Sequence, residues 1–452
     1  MKLFFQFLCA VMLYSCTFAL YFLFRPLNAV ESDDLFESVH IEWHPATRAE
    51  RFPSVEERVR LYMSAWYLPA CPDTSLIRYE NVENIDGSRS VHVSTKHGEH
   101  VEICGVIEPD TEILLERDVV RDCARSVARY NLDRLMRKSL NTEERVHLRR
   151  NMRGFCRDVL DLMDLTENYT MDLPLVAMLG DESSHHDVPS FSKWRWAASK
   201  EYKKRMTETP SQCWEDSPEE QREPIKPGLP LPPILWKLGS TRHWDPLDIA
   251  RITDTEWDQK RPMAVWRGAF TGKGPDRTLS EDEVCFAFPR CKFVYEHANS
   301  KLIDAGFDNL KRRIGDHYKG VRMKKHTMTT NQMQGYKVII SLEGNDVASG
   351  LKWNLLSRSV VLMPAPTKTS WAMEELLEPW VHYIPMEPDG SNALEMVQWV
   401  LDHDRDARRI AERATLFMYD LLYHPDAEQD DLAVKEEIVR RYSDHWRLAL
   451  NR

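Results

Sequence analysis

The sequence predicts an α/β fold, and three observations carry that reading. Short apolar, β-branched runs alternate with segments of helical period through the second half of the chain. Two of those runs, residues 263–266 and 337–342, end in glycine-containing turns, Arg267-Gly268-Ala269-Phe270-Thr271-Gly272 and Glu343-Gly344-Asn345-Asp346. The stretch 336–364 reads as strand, tight polar loop, helix and strand, the βαβ unit of parallel sheets.

In that unit, residues 337–342 form a short buried strand, and Gly344 and Asn345 supply turn geometry that other residues avoid. Ser349-Gly350 opens a helix with Ser349 as its N-cap, and Leu351, Leu355 and Leu356 share one face. Residues 359–363 make the second strand, ended by Pro364. A small-residue loop at a strand-to-helix turn is a place for phosphate: free backbone N–H groups and the positive end of the helix dipole face it. Lys352 lies within reach as a point charge. A plain αβ crossover accounts for the same pattern. Arg267, Arg277 and Lys352 together would neutralise a diphosphate, the arginines as bidentate forks. A structural salt bridge at Arg267 stands beside that reading with equal weight.

A chain of 452 residues with 42% apolar content is long enough for two domains with sizeable cores. Its net charge of −11 argues against a general nucleic-acid binder, which needs a basic footprint. Leu3 to Phe24 carries no charge over 22 residues, enough to span a bilayer as a helix. Lys2 precedes it, and an acidic stretch follows Arg25-Pro26, which favours a type II signal-anchor with the body in the secretory lumen. Cleavage near Ala29 is the alternative. Of the 9 cysteines, Cys9 and Cys16 lie in this span. Among the rest, Cys285 and Cys291 are the easiest pair to expect in an oxidising compartment. Asn168-Tyr169-Thr170 is an N-glycosylation sequon, consistent with a lumenal surface.

The organisation expected from these signals is a signal-anchor over 1–25, a stem over 26–60, an N-terminal domain over 61–240, a C-terminal domain over 241–425, and a terminal helix over 426–452. Within the N-terminal part, residues 58–67 predict a short helix. Residues 90–94 and 99–103 predict strands around the Asp86-Gly87 turn signal. Helical spacing covers 111–150 and 153–165. A core strand runs over 172–180, and 207–233 is a Pro- and Glu-rich loop. Farther on, residues 292–295 predict a strand, 371–377 a helix, 382–385 a strand, and 391–401 a helix continued by 406–419.

Asp181 ends the 172–180 run, where a carboxylate can be aimed into a cleft as a general base. An aspartate accepting a loop hydrogen bond is commoner. Asp181, His185, His186 and Asp187 form a metal-capable cluster, but their spacing fits no standard helical zinc motif. Asp402-His403-Asp404 is a DxD triplet, read as a solvated helix face among Arg405, Arg408 and Arg409. Trp194, Trp196, Trp244, Trp266 and Trp371 lie near the cleft segments. Their rings can stack on sugars or bases, or simply fill the core.

Three strings in this order and spacing complete the picture: Trp266-Arg267-Gly268 with Thr271-Gly272; Leu342-Glu343-Gly344-Asn345-Asp346-Val347-Ala348-Ser349-Gly350-Leu351-Lys352-Trp353; and Trp380-Val381-His382-Tyr383-Ile384-Pro385. Together they resemble glycosyltransferase family 90, over roughly residues 174–419. That family includes animal protein O-glucosyltransferases, fungal capsule xylosyltransferases and bacterial lipopolysaccharide-modifying enzymes, and the 344–353 string is closest to the last. The resemblance implies a GT-B fold, with two Rossmann-like domains facing a cleft, a UDP-sugar on the C-terminal one, and no metal or other cofactor. It implies Asp181 as the base and Arg267 on the donor diphosphate, with Arg277 like an arginine slightly downstream. Where the O-glucosyltransferases carry an arginine in the glycine/serine loop, this chain has Gly350 or Leu351, and the nearest basic residue is Lys352.

The resulting expectation is a membrane-anchored lumenal transferase in the Golgi or endoplasmic reticulum. It moves glucose or xylose from a UDP-sugar to a hydroxyl of a glycan or glycoprotein, with inversion. Asp181 is its base; Arg267, Gly268, Thr271, Arg277, Gly344, Asn345, Ser349, Gly350 and Lys352 hold the donor. The alternatives are a catalytically silent glycan-binding module on the same scaffold, and a metal-dependent hydrolase at Asp181, His185 and His186.

Overall fold

The computed structural model describes residues 52–67, four strands between 78 and 115, residues 175–178 and 189–197, and residues 232–450 apart from 245, 273, 275–278 and 312, together with the isolated positions 161 and 183. The expected membrane span, the sequon at Asn168, Asp181, Arg277 and the 207–231 part of the expected loop lie outside these residues. Among the described residues, no helix is long and apolar enough to cross a membrane.

The first strands are β1 (Arg78–Glu83), β2 (Arg89–Thr95) and β3 (Gly98–Ile103), an antiparallel meander. The Asp86-Gly87 signal therefore lies between β1 and β2, one strand earlier than its pattern suggested. Next come β4 (Glu112–Leu115), β5 (Leu175–Met178), β6 (Phe191–Ser192), β7 (Trp194–Trp196) and β8 (Ile234–Leu235). A four-stranded sheet has the order β4-β5-β6-β8. The start of the segment expected to be helical, 111–150, is thus a strand paired antiparallel with β5. A run of three apolar residues, Ile113-Leu114-Leu115, has no period that separates helix from strand, and here a pairing partner decides.

The second half supplies β9 (Arg261–Ala269), β10 (Ile303–Asn309), the short hairpin β11 (His317–Tyr318) and β12 (Val321–Arg322), then β13 (Tyr336–Ile340), β14 (Val360–Met363), β15 (Lys368–Ser370) and β16 (Ile384–Pro385). A parallel five-stranded sheet has the order β10-β9-β13-β14-β16. Both its faces are covered, as a parallel sheet requires. Val338, Ile340, Val360 and Leu362 enter one core with Phe293, Phe307 and Ile410. Val265, Ile339, Val361 and Met363 enter another, which runs on into Val59, Tyr62, Phe191 and Trp236.

Several local expectations change. Residues 292–295 lie in the helix Pro289–His297, not a strand; Pro289 occupies its first turn and Cys291, Phe293 and Val294 are buried. The expected Cys285–Cys291 disulfide is formed at its start. The helix of the βαβ unit runs Leu351–Leu356 with Gly350 as N-cap, so Ser349 is not the cap and is exposed. Residues 371–377 hold only a 3-10 turn, Glu374–Leu376. The long C-terminal helix breaks at His403 into Ala393–Asp402 and Asp404–Leu422.

Two features join the sheets. β15 pairs antiparallel with β7. The terminal helix Ala427–Leu450 returns to pack against the first helix, Val55–Met63.

Candidate functional site

Topology marks a place before any side chain is considered. The chain leaves β9 for β10 on one side and returns to β13 on the other. In open α/β sheets, ligands sit outside the carboxyl ends of the strands where the order reverses. Both glycine turns lie there, 267–272 at the end of β9 and 343–350 after β13.

Arg290, from the helix Pro289–His297, fastens the two turns together. Its Nη1 donates to Thr271 Oγ1 at 2.7 Å and to the Ala269 carbonyl at 3.1 Å. Its Nε donates to the Glu343 carbonyl at 3.0 Å, and its Nη2 to the Leu342 carbonyl at 2.6 Å. Burial pulls this guanidinium down to about 10, so it stays charged at neutral pH. The Gly272 N–H donates to Asn345 Oδ1 at 2.9 Å. Gly344 is required here because a Cβ would stand 2.7 Å from Thr271 Oγ1 and 3.0 Å from Arg290 Nη2.

A second tie comes from β15. Glu343 accepts from the Thr367 N–H at 2.9 Å, the Thr367 hydroxyl, the Lys368 N–H at 3.2 Å and Lys368 Nζ at 3.3 Å. Lys368 Nζ also donates to the Gly344 carbonyl at 3.2 Å. The same ammonium lies 5.2 Å from the Trp196 ring and 5.7 Å from the Trp194 ring. Trp194 is buried and Trp196 is 46% exposed.

A third tie reaches across from the elements before β9. Lys193 Nζ sits 2.7 Å from Asp346 Oδ2, and His243 Nε2 sits 3.7 Å from the same oxygen. Burial, reinforced by Lys352, Lys193 and Arg242, holds the His243 pKa well below the usual histidine value, so the ring is neutral. An ammonium offers no lone pair; Nδ1 therefore accepts from Lys352 Nζ at 3.5 Å, and Nε2–H points to Asp346. Lys352 Nζ pairs with Glu374 at 3.1 Å, and Glu374 accepts from the Ser370 N–H and hydroxyl.

The structure brings together Thr271, Gly344 and Asn345 of the expected donor set, while Ser349 and Gly350 end the same loop at the start of the helix, Ser349 exposed. Gly268 packs instead against the Trp266 ring. Arg267 and Lys352 are engaged elsewhere. Arg267 makes a bidentate pair with Asp304 at 2.9 Å and donates to three carbonyls, those of Trp266, Asp304 and His326. Burial raises the Asp304 carboxyl, but the hydrogen bonds and charges of Arg267 and Lys325 outweigh it and keep it below the usual range. Lys352 is 1% exposed against Glu374. Among the described residues, the backbone N–H groups of Val347, Ala348, Ser349 and Gly350 donate to no protein acceptor.

No group of His, Cys, Asp and Glu among the described residues is arranged to hold a metal. Asp404 of the DxD triplet pairs with Lys337 and accepts from Trp257, while Asp402 accepts from Gln398. Arg290, Lys193, His243 and Lys368 had no signal of their own in the sequence, because each acts through a partner distant in the chain.

Residues 240–427 match the family model described as Glycosyl transferase family 90. The chain is 29% identical over 185 residues to the O-glucosyltransferase LpsA of Dichelobacter nodosus, covering 41% of this chain and 50% of that protein. It is 27% identical over 212 residues to protein O-glucosyltransferase 2 of Danio rerio, covering 46% of this chain and 39% of the relative. With protein O-glucosyltransferase 1 of Homo sapiens it shares 26% over 224 residues, covering 47% of this chain and 50% of the relative. The matched region thus spans half or less of each of these relatives.

Proposed function

Because residues 240–427 belong to glycosyltransferase family 90, we propose that this chain is an inverting UDP-sugar transferase with glucose as the first donor to test and xylose as the second. The observation that carries the reading is the junction inside the matched span. There two glycine turns, at the switch point of a parallel sheet, are fastened together by Arg290. Such a switch point suits a nucleotide diphosphate.

In this proposal the lobes 61–240 and 241–425 face each other in a GT-B arrangement, and the donor lies on the second. The backbone N–H groups of 347–350 and the Arg277 segment receive the diphosphate. Arg267 and Lys352 act at one remove, through the ion pairs that fix β9 to β10 and the loop helix to Glu374. Asp181 removes the proton from an acceptor hydroxyl of a glycan or glycoprotein. That oxygen attacks the anomeric carbon, the bond from that carbon to the diphosphate oxygen breaks, and its electron pair leaves with UDP. Hydrogen-bond donors aimed at the departing oxygens stabilise the charge that develops there. No metal takes part.

The body is placed in the lumen of the Golgi or endoplasmic reticulum, anchored through residues 3–24. The Cys285–Cys291 disulfide supports an oxidising compartment.

The test is release of UDP from UDP-glucose and UDP-xylose with glycan and glycoprotein acceptors, with and without chelator. Turnover is expected to survive chelation. Asp181→Asn is expected to lower turnover on the order of 10²-fold or more while UDP still binds. Transfer retained in that variant would mean another group is the base. Binding of UDP with no turnover in the wild type would favour the silent module, a reading supported by the commitment of Arg267 and Lys352 to internal ion pairs.

A further inference from the structure

The donor loop carries an aspartate, Asp346, beside the place proposed for a diphosphate, and a carboxylate there repels an anion unless its charge is cancelled. Arg290 acts on that carboxylate from the side of the loop's own sheet, but the cation in direct contact with it comes from outside that sheet. We propose that Lys193 is a positioning residue for the donor loop, acting through Asp346: its ammonium both fastens residues 343–350 and neutralises the carboxylate that would otherwise oppose the nucleotide. This rests on the donor site proposed above.

The geometry is specific. A lysine is almost never buried without a partner; Lys193 is 4% exposed and its Nζ meets Asp346 at 2.7 Å. Its backbone is fixed on both sides. Ser192 belongs to β6 in the four-stranded sheet, and Trp194 belongs to β7, paired with Ser370 of β15. The Trp194 N–H also donates to Ser192 Oγ across the turn. Lys193 therefore stands where the chain passes from one sheet to the strand that touches the other. Among the other charges close by, Arg290 also acts on the Asp346 carboxylate, at longer range than Lys193. Lys352 pairs with Glu374, and His243, between Lys352 and Asp346, is neutral and adds no charge. The other ties of the loop, to Arg290, Gly272 and Lys368, come from the second half of the chain and do not touch the Asp346 carboxylate. Lys193 and His243 are the contacts by which residues before β9 set the shape of this loop through that carboxylate.

Two readouts separate the claim from general structural support. Hydrogen exchange over 342–356 is expected to quicken by about tenfold in Lys193→Met and to stay near wild type in Lys193→Arg. Affinity for UDP is expected to fall by about tenfold or more in Lys193→Met, because a carboxylate has lost its ion-pair partner beside the anion. Adding Asp346→Asn to Lys193→Met is expected to recover most of that affinity, a coupling that independent sites would not show. Where Lys193→Met does not fold, Lys193→Gln, which is neutral, polar and one bond shorter, carries the same comparisons. Unchanged exchange in the neutral variant, or a double variant that binds UDP no better than the single one, would overturn the proposal. If wild type binds no UDP at all, the donor-site reading fails, and the exchange comparison still decides the tie between Lys193 and the loop.

Discussion

His243 lies between Lys352 on one ring nitrogen and Asp346 on the other, with Lys193 and Arg242 near enough to act on its charge. Burial and these cations keep the folded-state pKa well below the ordinary histidine value. In the unfolded chain the ring titrates near its ordinary value. Below that pH the unfolded state takes up a proton that the folded state refuses, so stability falls as the pH drops, with a limiting slope of about 1.4 kcal/mol per pH unit, until the folded ring also protonates. His297 and His445 are lowered too, by burial first, and share this trend. His243→Gln isolates one proton. Urea unfolding between pH 7.5 and 5 is expected to give a flatter profile for the variant, and identical slopes would show that His243 titrates normally. At this scale the sequence was readable in part. Thr271, Gly344 and Asn345 announce turns, and the structure joins them. The charges of Arg267 and Lys352 were equally visible. Their partners were not, because Asp304 lies 37 residues from one and Glu374 22 from the other, and only the folded chain brings each pair together.

Elements were legible where their apolar runs were clean. β9, β13 and β14 read as strands because Ala264-Val265-Trp266, Val338-Ile339-Ile340 and Val360-Val361-Leu362 are buried whole. β10 gave no such signal: Asp304, Gly306 and Asp308 interrupt it, and it is a strand because β9 pairs along its length. The helix Pro289–His297 was hidden in the opposite way, since Phe293-Val294-Tyr295 looks like strand until Pro289 and the disulfide set a helical start. That helix carries Arg290, so missing it meant missing the fastener of the site. Arg290→Met would leave the carbonyls of Ala269, Leu342 and Glu343 without this donor. A partly buried acceptor left unpaired costs about 1–3 kcal/mol, so a loss on the order of 3 kcal/mol is expected. The measurement is the urea midpoint at constant slope. An unchanged midpoint would mean that the turns hold together without Arg290.

For the whole molecule, the terminal helix Ala427–Leu450 was legible as a helix, but not where it docks. Its buried side chains Val434, Ile438 and Tyr442 meet the core that contains Val59, Phe191 and Trp371. The Tyr442 and Phe191 ring centroids are 4.8 Å apart. Arg441 Nη1 donates to the Tyr67 carbonyl at 2.8 Å, His445 Nε2 meets the Trp66 carbonyl at 2.8 Å, and Trp371 Nε1 donates to Asp431 at 3.0 Å. The terminal helix therefore packs over residues 55–67, and residues 48–452 form one compact unit. A core shared in this way makes the two sheets unfold together, since neither can lose the terminal helix without exposing apolar surface on the other side of the contact. Tyr442→Ala tests that coupling. Removing a fully buried aromatic ring costs about 3–5 kcal/mol. Because the ring touches β6 rather than the parallel sheet, a loss confined to the first half would appear as a new, earlier transition in denaturant. One transition, displaced as a whole and followed equally by tryptophan fluorescence and by far-ultraviolet circular dichroism, is the expected result; separation of the two signals would show that the sheets are stabilised independently.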